Sequence, residues 1–342
     1  MKELTDKLFY ERKLTKDEWV KLLKNPSPEY AAKHAGKLCM RAYGNKVFVR
    51  ALIELTSFCK NDCFYCGIRR SNRCAQRYRL DDKTVLLCCE SAYSCGMRTF
   101  VLQGGEDEYF SQSHVCALIA EIKTRFPDCA VTLSLGEKSK EEYAAYRRSG
   151  ADRYLLRHES ANEAHYKQLH PSEMRLERRK QCLFELKELG YAVGSGFMVG
   201  VPFQTCETLA EDMLFLEKLS PDMIGIGPFI PAGNTPFETF KSGSGAFTMY
   251  LISLLRIAFP LALIPSTTAL GVMGGRIGGI RAGANVIMPN FTPVEYREKY
   301  SIYENKARSG ENAEDAIGRL REEMRAISRE VVIDRGDKRR CI

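Results

Sequence analysis

Cys59, Cys63 and Cys66 lie within one short stretch, Cys59-Lys60-Asn61-Asp62-Cys63-Phe64-Tyr65-Cys66. Three thiolates this close on a loop suit three corners of a cubane iron–sulfur cluster. The fourth iron then has no protein ligand and is open to chelate a small molecule. A structural zinc site, with Cys74 or another cysteine as fourth ligand, is the competing chemistry. Such sites usually pair two close ligands with two distant ones. A C-x3-C-x2-C loop with an aromatic, Tyr65, before its last cysteine is a different pattern.

Two further segments carry chemistry. Val101-Leu102-Gln103-Gly104-Gly105-Glu106 places two glycines after an apolar run, which allows backbone to approach a ligand closely. In Asp152–Glu159, the alternation of side chains along a strand puts Arg153, Leu155, Arg157 and Glu159 on one face. Arginines and a glutamate are costly against a helix layer but tolerable at the polar mouth of a barrel interior, where they suit an anionic substrate. The opposing reading is a buried Arg–Glu pair that holds layers together. His158 falls on the other face and reads as a packed or hydrogen-bonded histidine.

Alternating strands and helices must position these groups. Residues 1–50 read as a helical extension, with a capping box at Thr15–Glu18. Candidate strands begin near Ala51, Thr99, Ala130, Arg153, Ala192, Met223, Leu261 and Asn285. Helices are expected over Asp82–Tyr93, Ser113–Phe126, Lys140–Ser149, Leu176–Leu189, Cys206–Leu219 and Phe247–Phe259. Gly96, Gly150, Gly190 and Gly283 stand where helices should stop. The pattern implies an α/β fold with a parallel sheet, and its size is that of a closed (β/α)8 TIM-type barrel over 51–290. An open doubly wound sheet is the alternative. Residues 291–342 form a C-terminal extension closing the barrel, with a charged helix at Glu311–Glu330 and no further strand. In a barrel the C-terminal strand ends carry the chemistry.

Composition narrows the setting. A net charge of +8 arises from 51 basic and 43 acidic residues mixed along the chain. No basic block is interleaved with aromatics, so nucleic acid is not an expected partner. Lys338, Arg339 and Arg340 read as a solvated tail. No apolar run has the length of a membrane span and no secretory signal opens the chain, so a cytoplasmic protein is expected. Thirteen cysteines in such a chain argue against a disulfide framework. Cys88, Cys89, Cys116, Cys129 and Cys182 read as small buried hydrophobes.

The cysteine loop followed by Gln103–Glu106 resembles the radical S-adenosylmethionine (SAM) superfamily. With Thr132–Glu137, Arg153–Glu159, Gly225–Pro231 and Asn285–Pro293, it closely resembles the HydE family of [FeFe]-hydrogenase maturases. The resemblance implies an oxygen-sensitive [4Fe–4S] cluster on Cys59, Cys63 and Cys66, and SAM cleaved to a 5′-deoxyadenosyl radical. It implies cofactor contacts at Tyr65, Gln103, Gly104, Gly105, Glu106, Glu159, Arg179 and Met198. Arg179 is placed at the methionine carboxylate, with Arg178 adjacent. Thr132, Arg153, Arg157, Thr268, Met288 and Tyr303 resemble substrate-pocket positions. The implied substrate is a small cysteine-bound Fe(CO)2(CN) complex, or an amino-acid-like molecule. The implied partners are the sister maturases HydG and HydF and a flavodoxin- or ferredoxin-type electron donor. Some members carry a second cysteine trio near the C-terminus. Here only Cys341 follows Cys206, which argues against a second cluster. A methylornithine synthase acting on lysine, biotin synthase, and a non-catalytic iron–sulfur scaffold are the other readings.

Overall fold

In a barrel of parallel strands both faces of each strand are covered, so the wall is written as short continuous apolar runs. The computed structural model of the chain, which describes residues 2–306 and 313–339, has this form. Its strands are β1 (Lys46–Val49), β2 (Ala51–Thr56), β3 (Thr99–Gly104), β4 (Ala130–Ser134), β5 (Arg153–Leu155), β6 (Ala192–Ser195), β7 (Met198–Val199), β8 (Met223–Ile224), β9 (Gly227–Pro228), β10 (Val286–Ile287) and β11 (Glu330–Val332). Six of them form one parallel ladder in the order β2-β3-β4-β5-β6-β8. Isolated parallel bridges carry the wall onward, from Met223 to Leu263 and from Pro265 to Val286. β10 then pairs with β1, Phe48 opposite Val286, and β1 runs through Arg50 into β2. A bridge between Leu52 and Asn290 completes the closure. The fold is the TIM-type α/β barrel.

Helices cover the outside: α1 (Lys2–Glu11), α2 (Lys16–Lys24), α3 (Pro28–Tyr43), α4 (Asp82–Ser94), α5 (Gln112–Arg125), α6 (Lys140–Arg148), α7 (Glu163–Leu169), α8 (Leu176–Glu188), α9 (Cys206–Leu219), α10 (Gly245–Ala258), α11 (Thr268–Val272), α12 (Arg276–Arg281), α13 (Val294–Arg297) and α14 (Ala313–Arg325). Thr15 and Glu18 form the capping box at the start of α2. Gly96, Gly150, Gly190 and Gly283 all take positive φ where helices turn into strands. Cys88, Cys89, Cys129 and Cys182 are buried, whereas Cys116 is half-buried; all are free thiols.

The ends of the chain differ from the sequence reading. Helix stops at Tyr43, and residues 46–49 are strand β1. The tail also contributes a strand: β11 pairs in parallel with β1, Lys46 opposite Glu330. Beyond it the tail is tied down rather than solvated, with Lys338 Nζ 3.3 Å from Asp222. The described part of the tail helix is α14; Glu311, Arg340 and Cys341 lie outside the described residues.

Candidate active site

The three cysteines follow the end of β2 on a loop that returns to the sheet edge at Tyr78. Ser57 N–H donates to the Tyr78 carbonyl at 3.2 Å and Leu80 N–H to the Leu55 carbonyl at 2.8 Å. Loops this long without regular structure usually carry function. The segment between is internally braced. Asp62 accepts from the Ser71 N–H at 3.0 Å and the Arg69 guanidinium at 2.8 Å. Arg77 spends its terminal N–H groups on carbonyls of the same loop.

The loop is pressed against the end of β3. Lys60 N–H donates to the Glu106 carbonyl at 2.9 Å. In return the Glu106 N–H points at Cys59 Sγ, 3.3 Å away. Gly105 is required by this approach: a Cβ there would lie 2.1 Å from the Phe58 carbonyl oxygen and 2.7 Å from Cys59 Cβ. Gly67 meets the other side of the barrel mouth, where a Cβ would lie 2.0 Å from the Ser301 carbonyl oxygen.

The donor set fits a cluster. All three cysteines are half-buried free thiols. Burial pushes the Cys59 and Cys63 thiols up and takes Cys66 to about 12, and the neighbouring cysteines add to the rise at Cys63 and Cys66. Thiols that resist ionising on their own give up their protons when they bind iron. Each cysteine of a cubane binds a different iron, so three thiols spaced along one loop suit it. Cys74 is exposed on the outer part of the loop.

Polar groups gather around the cysteines from the ends of β3, β4 and β5 and from the start of α8. Glu106, nearly buried, accepts from the Glu137 N–H at 2.9 Å. Arg179, on the first turns of α8, sits 2.6 Å from the Glu137 carboxylate and donates to the Arg157 carbonyl at 3.2 Å. Arg178 turns away to Glu185 and the Lys138 carbonyl. Arg179 is the one whose charge acts on Cys63, while Arg178 lines the cleft beside the loop. Arg157 forks onto Glu159, Nε to Oε1 at 3.0 Å and Nη2 to Oε2 at 2.6 Å. Glu159 takes a left-handed φ of 62°, a strained conformation of the kind found at functional sites. Beneath it, buried His158 holds Ser195 Oγ at 3.0 Å and faces Asp212 at 3.3 Å, a hydrogen-bonded structural histidine.

Tyr65 packs in an apolar cluster with Phe64, Met198, Leu169 and Phe229. Its hydroxyl lies 3.1 Å from His170 Nε2. His170 Nδ1 faces the Tyr166 carbonyl at 3.0 Å and so carries the proton, leaving Nε2 to accept from Tyr65. Burial lowers His170 to about 3, so the ring is neutral. Gln103 donates to the Tyr300 hydroxyl at 3.3 Å. Gly104 lies so close to Thr56 that a Cβ would be 2.9 Å from its methyl. Tyr303 feels the charges of Glu54 and Arg157, and Met288 packs near Leu155 and Met223. Glu54, fully buried, is paired with Lys306 and accepts from Asn290 at 3.0 Å. A cleft of ≈ 420 Å³ between Lys60, Glu106, Glu137, Met174 and Arg178 opens beside the cysteine loop.

Three expected pocket residues lie away from the cysteine loop. Arg153 begins β5, at the opposite end of the barrel from Glu159, and is sealed by the tail. It donates to Thr99 Oγ1 at 3.1 Å, to the Arg335 carbonyl at 2.7 Å and to Asp337 at 2.6 Å. Thr132 is its register partner on β4. Both line a cavity of only ≈ 10 Å³ with Arg50 and Met223. Thr268 is exposed in the first turn of α11, which Thr267 caps. The sequence alone gives no role to Arg77, His170 or the Glu54–Lys306 pair, and none to Glu137 beyond its place in the Thr132–Glu137 segment.

The chain is similar to known proteins. Residues 53–216, from β2 to α9, match the Radical SAM superfamily. Over 276 residues the chain is 45% identical to the [FeFe] hydrogenase maturase subunit HydE of Thermotoga maritima, covering 80% of this chain and 78% of that one. The chain belongs to the radical SAM superfamily, in the HydE family. Radical SAM enzymes use a [4Fe–4S] cluster and SAM, and these are its cofactors. A 3-methylornithine synthase of Methanosarcina acetivorans is 27% identical over 266 residues, 76% of this chain and 75% of that one. The crystal structure of methylornithine synthase (PylB) superposes with a TM-score of 0.84 over 96% of this radical SAM chain and 97% of that one. At 24% identity the likeness establishes the shared fold. No helix among the described residues is long and apolar enough to cross a membrane.

Proposed function

We propose that this radical SAM enzyme acts in assembly of the [FeFe]-hydrogenase active site, on the sulfur of a small cysteine-bound Fe(CO)2(CN) complex. Bound at Cys59, Cys63 and Cys66, the cluster supplies the single electron that cleaves SAM to a 5′-deoxyadenosyl radical. The observation that carries the reading is a continuous run of contacts from Cys59 through Glu106, Glu137 and Arg179 to Arg157 and Glu159.

Each residue has a task in that arrangement. Arg179 holds the methionine carboxylate of SAM, giving up Glu137 for it. Glu106 and the Gln103–Gly105 backbone take the amino group. Tyr65 and Met198 flank the adenosine, and Glu159 meets ribose hydroxyls. With Glu159 so engaged, Arg157 is freed to bind an anionic group of the substrate. Tyr303 and Met288 complete the inner wall. The apolar shell around Tyr65 excludes water, which protects a carbon radical from quenching. HydG and HydF are the proposed partners, with a flavodoxin- or ferredoxin-type donor, in the cytoplasm.

The test is anaerobic reconstitution and reduction, followed by 5′-deoxyadenosine measurement with and without the iron complex. Formation stimulated by the complex, with an adenosyl–sulfur adduct, is the expected result. Stimulation by lysine instead would move the chain to the methylornithine synthase reaction. An intact cluster that never cleaves SAM would leave only a scaffold role.

A further inference from the structure

We propose that Arg77 is the positioning residue of the cluster loop, clamping its backbone and holding a fixed positive charge beside two of its cysteines. The four terminal N–H bonds of a guanidinium can satisfy four acceptors at once. Arg77 uses all four on one loop. Nη1 donates to the carbonyls of Ser57 and, at 2.8 Å, Ile68. Nη2 donates to the carbonyls of Arg69 at 2.7 Å and Asn72 at 3.2 Å. Ser57 precedes Cys59 by two residues, and Ile68 follows Cys66 by two, so the grip spans the whole trio.

Ser57 is also tied to Gln76 and Tyr78, but the other side chains within the loop reach less of it. Asp62 ties only to Arg69 and Ser71. The Asn72 side chain reaches the Gly67 carbonyl at 2.8 Å. Neither joins the stretch before Cys59 to the stretch after Cys66. Arg77 does, and its own position is set because Tyr78 is bonded to Ser57 through backbone and hydroxyl. The carbonyl partners are neutral, so the guanidinium charge is not cancelled where it stands. Its grip on Ser57 and Ile68, each two residues from a cysteine, keeps that charge beside Cys59 and Cys66, where it works against the burial that raises their thiols. A positive charge there favours the more negative, reduced state of a cluster on those thiolates, and cluster potentials respond to nearby charge and hydrogen bonds. Reduction adds one electron, delivered in the test by dithionite.

The inference rests on the cluster site and not on the identity of the substrate, so it stands or falls without any turnover assay. Arg77→Lys keeps the charge and loses the four-way grip. Iron should leave its cluster to a chelator ~10-fold faster than from wild type, with the midpoint potential unchanged. Arg77→Gln removes the charge and keeps amide donors. Its oxidised-to-reduced ratio at fixed potential, read by electron paramagnetic resonance, should rise ~10-fold, about 59 mV for one electron. In cluster-free protein, amide exchange across residues 57–72 should quicken in both variants while the barrel strands stay protected. Wild-type chelator kinetics and amide exchange in Arg77→Lys would overturn the clamp. A wild-type midpoint in Arg77→Gln would overturn the charge effect.

Discussion

Arg179 Nε lies 2.6 Å from the Glu137 carboxylate, with only about a tenth of the arginine side chain and a fifth of the glutamate exposed. A mostly buried ion pair is worth little by itself, because desolvation offsets the attraction. It does keep a guanidinium charged and aimed at the cysteine loop until another carboxylate takes Glu137's place. Arg179→Ala should therefore weaken SAM binding by roughly 10- to 100-fold, the range for one hydrogen-bonded charge, without changing iron content. Arg178→Ala should leave SAM affinity at the wild-type value, since that side chain is spent on Glu185 and Lys138. Equilibrium binding of SAM to the reconstituted variants decides between them. A loss confined to Arg178→Ala would reverse the assignment.

Gly105 tests whether the cysteine loop and the end of β3 must touch. A methyl there would overlap the Phe58 carbonyl and crowd Cys59 Cβ, both fixed in the loop. Neither atom belongs to the end of a flexible side chain, so the loop itself must move. Gly105→Ala should cost about 1–3 kcal/mol of stability, as overpacking does. Its larger effect should be on iron, because Cys59 is displaced while Cys63 and Cys66 are not. Iron and sulfide per chain after reconstitution should fall well below wild type, with the far-ultraviolet dichroism unchanged. Full cluster content would show that the contact is not needed.

His170 gives the pH dependence its sign. Burial, with help from Arg179, lowers its folded-state value to about 3 against 6.5 for an ordinary histidine. Between those values the unfolded chain binds a proton that the folded chain refuses, so stability falls as pH drops through that window. The contribution is fully present above about pH 6.5. At pH 5 the loss from this residue is about 2 kcal/mol, from 1.36 kcal/mol for each pH unit. His170→Gln can still accept from Tyr65 but carries no titration. Urea midpoints of the cluster-free proteins at pH 7.5 and pH 5 should converge for the variant and separate for wild type. Equal slopes in the two proteins would remove His170 as the cause.

Much of the scaffold was legible because its signals are local. Each of the early strands is an apolar run, and glycine caps separate the helices from the strands that follow. β1 and β11 were not, because Lys46 meets Glu330 only after the intervening barrel is built. The cysteine trio is visible in any reading of the chain. Arg77 is not, since an arginine that bonds carbonyls leaves no side-chain motif to find. Strand alternation assigns Arg153 and Arg157 to one face but says nothing about which end of the barrel each occupies. That distinction comes from Asp337, which reaches Arg153 from the far end of the chain.

The two arginines should accordingly separate in experiment. Arg153 is buried, donates to Thr99 and two tail groups, and has its partner Asp337 more than half exposed. Removing it takes one of two donors from the Arg335 carbonyl, which keeps Thr99 Oγ1 at 2.8 Å, and loosens the tail from the barrel floor. Because Asp337 is solvated, the ion pair itself contributes little, and the loss comes from the broken hydrogen bonds, about 1–3 kcal/mol. Arg153→Ala should lower the urea midpoint while SAM cleavage, at a temperature where the variant is folded, stays near wild type. Arg157 faces the cysteine end, and its fork partner Glu159 is the strained residue of the site. Arg157→Ala leaves a Glu159 carboxylate that is only about a tenth exposed without its fork partner. It too should lower stability, by about 1–3 kcal/mol, so the two variants separate in SAM chemistry. Arg157→Ala should preserve basal 5′-deoxyadenosine formation and abolish its stimulation by the iron complex. If Arg153→Ala lost the stimulation at unchanged stability, the barrel floor would belong to the substrate site after all.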